Sequence, residues 1–166
     1  DEGTLWAFRV TGTHTGPLAD PTDPQNNAND YLEIGLGQTW SGEFIPVPAD
    51  VARGTTGAKP QDALENWSNA NNVFQFVRVE DIGYDPDNPR VVYFADTGVN
   101  RLAEDPATGR LVRLSSGGTT SNGRIFKMTL NADDPTKVDG FSILADADVV
   151  GMRNPDNLDV GRNSIM

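Results

Sequence analysis

Four segments after residue 79 have the composition of β-strands, and in residues 123–130 the side chains alternate with the period of two that is typical of a strand. These segments are residues 80–84, 90–95, 123–130 and 137–145. Turn-forming residues separate them, for example DPDNP at residues 85–89, where proline sets φ and the Asp and Asn side chains bond their own backbone. Four strands joined in this way predict an antiparallel meander, and Gly140 predicts a bulge in the last strand.

The first half of the chain has weaker patterns. Residues 3–10 and 30–36 alternate and are predicted strands, and residues 42–47 are predicted as a short extended piece that two prolines keep at a sheet edge. Residues 11–29 read as a long polar loop. Residues 60–70 (PQDALENWSNA) are the one predicted helix, with proline in the first turn and one apolar face.

The connecting segments complete the prediction. Residues 73–79 are rich in β-formers and are predicted to be a strand that leads into Glu80 and Asp81. Residues 99–108 are polar and turn-like, 109–114 are a short strand or hairpin arm, and 115–122 are flexible. Residues 146–153 read as a linker, and residues 154–160 begin a new strand.

Two short segments of the chain resemble each other. Residues 79–82 (VEDI) and 155–158 (PDNL) each place a pair of oxygen-bearing side chains before a branched apolar residue. Their separation exceeds the roughly 40–50 residues of common blade repeats, and the inserted segment 99–122 accounts for the surplus. Four-stranded sheets repeated around a channel are the architecture of a propeller. Oxygen pairs at successive blade starts are then expected to converge on the channel.

The predicted fold is therefore an all-β β-propeller fragment of about two four-stranded antiparallel blades, with one short helix in an inserted loop. Residues 1–72 are assigned to the outer part of one blade with an insertion, 73–150 to one full blade, and 151–166 to the start of the next blade. The strands at residues 3–10 and 30–36 would form the outer half of the preceding blade. We expect such a piece to need the rest of its own propeller and to dissolve poorly alone, because its sheet edges are open.

Composition narrows the classes of partner. The net charge of −11 and the pI near 4.3 argue against nucleic acid and anionic membrane surfaces, since both need Lys and Arg clusters. The chain has no Cys, which excludes disulfides and thiolate metal sites within these 166 residues. No apolar run approaches the roughly 20 residues of a spanning helix, so we expect no membrane insertion.

The candidate chemistry lies in the two acidic pairs. Adjacent carboxylates at Glu80 and Asp81 suit a hard cation such as Ca²⁺, although a solvated strand end would also explain them. Asp156 and Asn157 follow a proline, so an Asx-turn is the competing interpretation. Asp96 is either a ligand or simply the end of its strand.

Two arginines complete the set of candidates. Arg78 and Arg101 are candidates for phosphate contacts, because a guanidinium pairs two phosphate oxygens at once. Arg78 could instead pair with a neighbouring carboxylate.

These residues carry a resemblance to a known family. FVRVEDIGYDPDNPRVVYFADTG (residues 76–98) resembles the F-x-R-x-E-D-G region of the PhoX-type alkaline phosphatases, and NPDNL (154–158) resembles their later P-D-N-L motif. GRIFKM (123–128) resembles the strand that lies between these motifs in that family. The chain departs from the family pattern at Val79, where Pro is common, at Ile82, where Gly is common, and in having no cysteine ligand for iron.

The resemblance implies a calcium-dependent phosphomonoesterase on a six-bladed propeller, periplasmic or extracellular, which acts on a small-molecule phosphate ester. Its axial site would hold Ca²⁺ together with Fe³⁺. By motif match, Glu80 is the catalytic residue and a metal ligand, Asp81 is a ligand or supports one, and Asp156 and Asn157 are ligands one blade further on. Two alternatives are a non-catalytic calcium-stabilised propeller that acts as a binding module, and a paraoxonase- or lactonase-like calcium hydrolase.

Overall fold

The computed structural model describes residues 3–11, 30–55, 60–105, 110–113, 116–117, 119–162 and 164–165. The main strands are β1 (Trp6–Val10), β2 (Trp40–Pro46), β3 (Val79–Asp85), β4 (Asn88–Asp96), β5 (Val99–Asp105), β6 (Arg110–Arg113), β7 (Thr119–Ser121), β8 (Arg124–Leu130) and β9 (Lys137–Asp146). Two very short strands, β10 (Val160–Gly161) and β11 (Ser164–Ile165), pair near the end of the chain. The helices are α1 (Asp30–Glu33), α2 (Ala49–Ala52), α3 (Pro60–Ala70) and α4 (Ala147–Val150).

Six strands form one antiparallel sheet in the order β1-β2-β9-β8-β4-β3, which curls into a half-barrel. The run β3-β4-β8-β9 is the predicted meander, and a register shift at Gly140 is the predicted bulge. The all-β class is therefore confirmed, and a curled antiparallel sheet with few helices is consistent with a propeller fragment. The helix predicted at residues 60–70 is α3.

An aromatic cluster fills the concave face of this sheet. Phe94, Phe126 and Phe141 lie on neighbouring strands β4, β8 and β9, and their rings stack with centroids 5.1 to 6.3 Å apart. Phe126 and Phe141 are completely buried. Phe74 and Phe76 close the cluster from the segment before β3, with Phe76 edge-on to Phe94 at 5.2 Å. Alternation along three paired strands places these rings on one face, so the core follows directly from the pattern.

The predicted strand at residues 73–79 is wrong. Val73 makes one isolated bridge to Arg9, and residues 74–78 have no ladder partner before β3 begins at Val79. The apolar residues of this segment serve the core instead of a sheet: Phe74 is buried, and its N–H donates to the carbonyl of Phe8 at 2.9 Å. Burial of aromatic rings explains the composition without strand pairing.

Two predictions in the first half are also wrong. Residues 30–33 form the helical turn α1 and not a strand, because Tyr31 and Ile34 are both buried and a spacing of three brings two side chains to one side of a helix. Strand β2 lies inside the sheet and not at an edge. Pro46 is its last residue, whereas the pairing of β2 with β9 uses Trp40 to Glu43, so the missing N–H does not interrupt that ladder.

A smaller three-stranded sheet, in the order β6-β5-β7, is inserted between β4 and β8. The turn-like structure predicted for residues 99–108 is wrong over Val99–Asp105, because this polar stretch pairs with both β6 and β7. The short strand predicted at 109–114 is confirmed as β6, whereas the segment predicted as flexible contains β7. The linker contains the single turn α4, and the new strand begins only at Val160.

The first strands do not occupy a separate sheet. Strand β1 pairs with β2, and β2 pairs with the outer side of β9, so both extend the meander to six strands. The placement of residues 3–10 and 30–36 in the outer half of a preceding blade is therefore wrong. The division of the chain into blade segments at residues 72 and 150 stays a prediction.

Candidate functional site

The two acidic motifs meet at one end of the sheet, where β4 ends and β5 begins. A cleft of about 410 Å³ opens there, lined by Arg78, the stretch from Thr97 to Asn100, Asn154 and Asp156. Arg78 comes from the segment that enters β3, and the Asn154–Asp156 stretch comes from the P-D-N-L motif. Residues 76 positions apart in sequence, such as Glu80 and Asp156, thus belong to one region of the surface.

Specific hydrogen bonds hold the P-D-N-L segment against the sheet. The Thr97 hydroxyl donates to the carbonyl of Pro155 at 2.9 Å, and the Asn154 amide group donates to the carbonyl of Thr97 at 2.8 Å. The backbone N–H of Asn154 donates to the carbonyl of Asn122 at 2.6 Å. Asn154 has a φ of +47°, a left-handed conformation that Asn tolerates better than most residues. The segment is therefore anchored although it lies outside regular structure.

Asp81 joins the two motifs directly. Its Oδ2 accepts the N–H of Leu158 at 2.8 Å, and its Oδ1 accepts the N–H of Ile82 at 2.8 Å. The Leu158 N–H, followed by that of Ile82, lowers the pKa of the Asp81 carboxyl below its ordinary value. One carboxylate oxygen thus holds the backbone of the second motif, and the other bonds the adjacent residue of the first motif, which suits a residue that supports a site.

Glu80 lies at the surface beside this junction. Its Oε1 accepts a hydrogen bond from Arg78 Nη2 at 3.0 Å, and the two side chains are 36% and 52% exposed. The alternative in which Arg78 pairs with a neighbouring carboxylate is therefore what the structure shows. An exposed pair of this kind contributes about 1 kcal/mol or less to stability, so either partner can exchange it for a ligand at little cost.

Asp156 and Asn157 are exposed, and their side chains make no hydrogen bond to another described residue. Asp156 lines the cleft together with Arg78. The structure therefore brings together Arg78, Glu80, Asp81 and Asp156 around one surface, by direct contact or by sharing the cleft, and places Asn157 next to them in the chain. The side chain of Arg101 lies outside the described residues.

Asp96 is the residue whose role the sequence did not reveal. It is the last residue of β4 and is completely buried directly behind the cleft wall formed by Thr97 and Gly98. Its Oδ2 accepts the N–H groups of Val77 at 2.8 Å and Arg78 at 3.2 Å, and its Oδ1 accepts the N–H of Gly98 at 2.9 Å. The only sequence signal was a carboxylate directly after the apolar run VVYFA, followed by Thr-Gly.

Burial raises the pKa of the Asp96 carboxyl, and the N–H donors of Gly98, Val77 and Arg78 act in the opposite direction. Desolvation disfavours the charged form, whereas hydrogen bonds to the carboxylate favour it. Every donor named here is a backbone N–H, so the Asp96 carboxylate holds the backbone of the segments around it in place.

A buried polar network supports the same end of the sheet. Arg124 pairs with Asp146 at 3.0 Å, lies over the ring of Tyr31 with its Cζ 4.4 Å from the centroid, and donates to the Tyr31 carbonyl. The Tyr31 hydroxyl shares a 2.9 Å hydrogen bond with Ser121. Burial, with a smaller contribution from Asp96, raises the pKa of Tyr31 to about 12. Tyr31 is therefore a neutral structural group at any ordinary pH.

The oxygen atoms at the candidate site can be compared with the ligands that the expected metals prefer. Carboxylate and amide oxygens at Glu80, Asp156 and Asn157 are the ligand type that Ca²⁺ accepts. Among the described residues, no three His, Cys, Asp or Glu side chains are grouped closely enough to hold a metal ion by themselves. The chemistry of the donors fits calcium, whereas a thiolate ligand for iron has no counterpart in a chain without Cys.

Comparison with known proteins adds no relative: no family model, no curated protein and no solved structure matches this chain. Among the described residues, no helix has both the length and the apolar character needed to cross a membrane. The function is accordingly argued from the motifs and from the geometry of the cleft.

Proposed function

We propose that the chain forms part of the active site of a calcium-dependent phosphomonoesterase of the PhoX-like kind, with the phosphate bound in the cleft beside Arg78. One observation carries the proposal. The E-D and P-D-N-L motifs, which are remote in sequence, are joined by the hydrogen bond from Leu158 to Asp81, and Arg78 and Asp156 line one cleft.

Arg78 is the phosphate-binding group in this proposal. A guanidinium matches two phosphate oxygens with parallel hydrogen bonds, and such charge-assisted bonds are about twice as strong as neutral ones. Its present partner Glu80 is exposed, so a phosphate dianion can replace that weak pair. Asn100 and Asn154, which line the same cleft, can donate further hydrogen bonds from their amide groups.

Glu80 is the central calcium ligand in this proposal, with Asp156 and Asn157 contributing oxygens and Asp81 holding the P-D-N-L backbone in place. When bound, Ca²⁺ would neutralise the charge of the phosphate and polarise phosphorus toward attack. The described residues supply only part of a calcium ligand set, so the remaining ligands are assigned to the rest of the propeller. Iron stays a possibility of the family pattern for which this chain offers no ligand.

A second candidate function uses the same donors. A propeller that binds calcium only for stability would hold the ion through the exposed oxygens of Glu80, Asp156 and Asn157 without catalysis. The paraoxonase- or lactonase-like hydrolase has no observation of its own in its favour. The periplasmic or extracellular location belongs to the proposal of a PhoX-like enzyme and is tested by cell fractionation.

The experiment is p-nitrophenyl phosphate turnover at alkaline pH by the natural full-length protein, with Ca²⁺ and after chelation. Glu80→Gln removes the ligand charge and is compared with Asp133→Asn, an exposed turn carboxylate far from the cleft in sequence. Arg78→Ala removes the phosphate contact and is compared with Arg90→Ala, an exposed arginine that bonds the Leu130 carbonyl.

We expect turnover that requires Ca²⁺, is lost in Glu80→Gln and is unchanged in Asp133→Asn. Loss of a charged hydrogen bond costs about 1.5–3 kcal/mol, so Arg78→Ala should raise KM by roughly tenfold or more, while Arg90→Ala should leave it unchanged. Bound Ca²⁺ found by metal analysis without any turnover would establish the binding module instead. Turnover that is indifferent to Glu80→Gln would refute the assignment of the site.

A further inference from the structure

We infer that Asp96 is a positioning residue of the cleft: its buried carboxylate fixes the backbone of Arg78 on one wall and of Gly98 on another. This inference rests on the proposed function for its kinetic consequence, although its structural content stands on the hydrogen bonds alone. Three backbone N–H groups from two separate segments converge on one side chain, at distances of 2.8, 3.2 and 2.9 Å.

The segment that carries Arg78 is anchored in the core at Phe74 and Phe76, but its last two residues depend on Asp96 and Thr97. Residues 74–78 lie outside every strand, so the N–H groups of Val77 and Arg78 have no ladder partner. They donate to Asp96, and the carbonyl of Arg78 accepts the N–H of Thr97 at 2.9 Å. Both the N–H and the carbonyl of Arg78 are thus bonded to the two residues that end β4 and follow it, and the guanidinium reaches the cleft from this fixed backbone.

The other wall is fixed by contact as well as by hydrogen bonding. Gly98 has a φ of +72°, and a Cβ there would lie 2.4 Å from the carbonyl oxygen of Ser121 and 2.5 Å from the nitrogen of Gly123. Its N–H donates to Asp96, so the carboxylate and the close approach of Gly123 define one position for this backbone. Only Gly fits both the left-handed φ and the lack of space.

Asp96 therefore acts through Arg78 and Gly98 and does not touch the substrate. Its carboxylate is completely buried, and both oxygens are occupied by N–H donors. Asp96→Asn retains one oxygen as an acceptor but turns an NH₂ group toward N–H donors on the other side, so one of the two walls loses its anchor. Arg78 would bind phosphate equally in ground and transition states, and loss of such uniform binding raises KM more than it lowers kcat.

Glu43→Gln is the matched control. The side chain of Glu43 is also largely buried, at 16% exposed, and its carboxylate accepts hydrogen bonds from Arg9 at 2.8 Å and from Lys137. It lies opposite Lys137, the first residue of β9, whereas the cleft lies toward the other end of that strand, and it does not line the cleft. Both variants replace a shielded carboxylate by an amide, so an effect of Asp96→Asn alone would be specific to the donors that Asp96 holds.

Two measurements on the full-length protein test the inference. In p-nitrophenyl phosphate kinetics, Asp96→Asn should raise KM by roughly tenfold with a smaller change in kcat, and its effect should be non-additive with that of Arg78→Ala. In amide hydrogen exchange, the N–H groups of Arg78 and Gly98 should exchange faster in Asp96→Asn than in wild type. Glu43→Gln should match wild type in KM and in the exchange of these amides.

The two measurements separate the possible failures. If wild type shows no turnover, the proposed function fails, and the exchange data alone decide whether Asp96 holds the cleft walls. If turnover is present, additive KM effects together with unchanged exchange at Arg78 and Gly98 would overturn the inference. If Asp96→Asn does not fold, exchange in wild type decides: rapid exchange at Arg78 and Gly98, equal to that of exposed amides, would overturn it.

Discussion

The aromatic cluster makes a quantitative prediction for Phe126→Ala. The ring of Phe126 is completely buried and lies 5.1 Å from Phe141, 5.3 Å from Phe94 and 5.6 Å from Phe76, measured between centroids. Truncation of a buried Phe to Ala costs about 3–5 kcal/mol, and aromatic pairs contribute about 0.5–1.5 kcal/mol beyond the buried area. With several ring partners lost at once, we expect a cost near the upper end, about 4–5 kcal/mol.

A cost of this size is measurable by urea denaturation. With a slope of about 2 kcal/mol per molar urea, typical of a small domain, the midpoint should fall by about 2 M. Trp40 is a suitable fluorescence probe, because it is buried and is paired with Phe141 across β2 and β9. Far-UV circular dichroism should give the same midpoint if the sheet unfolds with the core.

Phe44→Ala is the control for this prediction. It deletes the same atoms, but Phe44 is only partly buried, and its ring contact is with Phe8 at 5.7 Å. We expect less than half of the loss seen for Phe126→Ala. Equal losses in the two variants would refute the reasoning, because the cost would then not depend on the position of the ring within the cluster.

Three further predictions follow from the described contacts. Hydrogen bonds from Lys137 and then Arg9 lower the pKa of Glu43 below its ordinary value of 4.5, so the stabilisation is complete above that pH and is lost as the pH falls through the lowered pKa. Glu43→Gln should be less stable than wild type at pH 7 in urea denaturation, and the difference should shrink as the pH falls below 4.5; a difference that does not depend on pH would contradict this. Gly123→Ala should lower the free energy of unfolding by more than about 1 kcal/mol, because its Cβ would lie 2.5 Å from a carbonyl oxygen and its φ is +102°. Gly117→Ala has open space around it and should lower the free energy of unfolding by less; equal losses in urea denaturation would contradict the steric argument. Ile82 and Tyr84 are 65% and 64% exposed on edge strand β3, so replacing both by Thr should reduce self-association in light scattering; unchanged association would exclude this edge as its cause.

The meander was predictable because strand-forming composition and turn chemistry agree in it. Strand β8 alternates, β4 carries the apolar run VVYFA, and β9 has buried apolar residues at Val138, Phe141 and Ile143. Asp, Asn and Pro lie in the turns beside these strands, so local pattern and global pairing point to one structure. The segment around Phe74 and Phe76 was misread because aromatic residues favour strands and cores alike. Polar β5 was missed because its strand structure depends on pairing with β6 and β7, which leaves no period in the sequence.

The sequence marks the candidate residues of the site but not what holds them in place. Adjacent oxygen-bearing side chains single out Glu80, Asp81 and Asp156 as candidates, whose functional role stays a prediction, and the structure adds that the two motifs are connected through the backbone N–H of Leu158. The role of Asp96 could not be predicted, because its partners are backbone N–H groups, which every residue except proline carries. Only the folded course of the chain brings them together.

The close contact between Gly98 and Gly123 has a consequence for the evolution of this fold. These glycines bracket the three-stranded insertion, and their backbones nearly touch, while β4 and β8 pair directly up to Asp96 and Arg124. The two ends of the insertion are thus held together by the contact between the two glycines. Its outer part can change in length and sequence while Ser121 keeps its hydrogen bond to the buried Tyr31, whereas Val99 and Asn100 at its root line the cleft. Exchanging the outer part of the insertion together with these two root residues would alter which ligands the cleft accepts while leaving the six-stranded sheet intact.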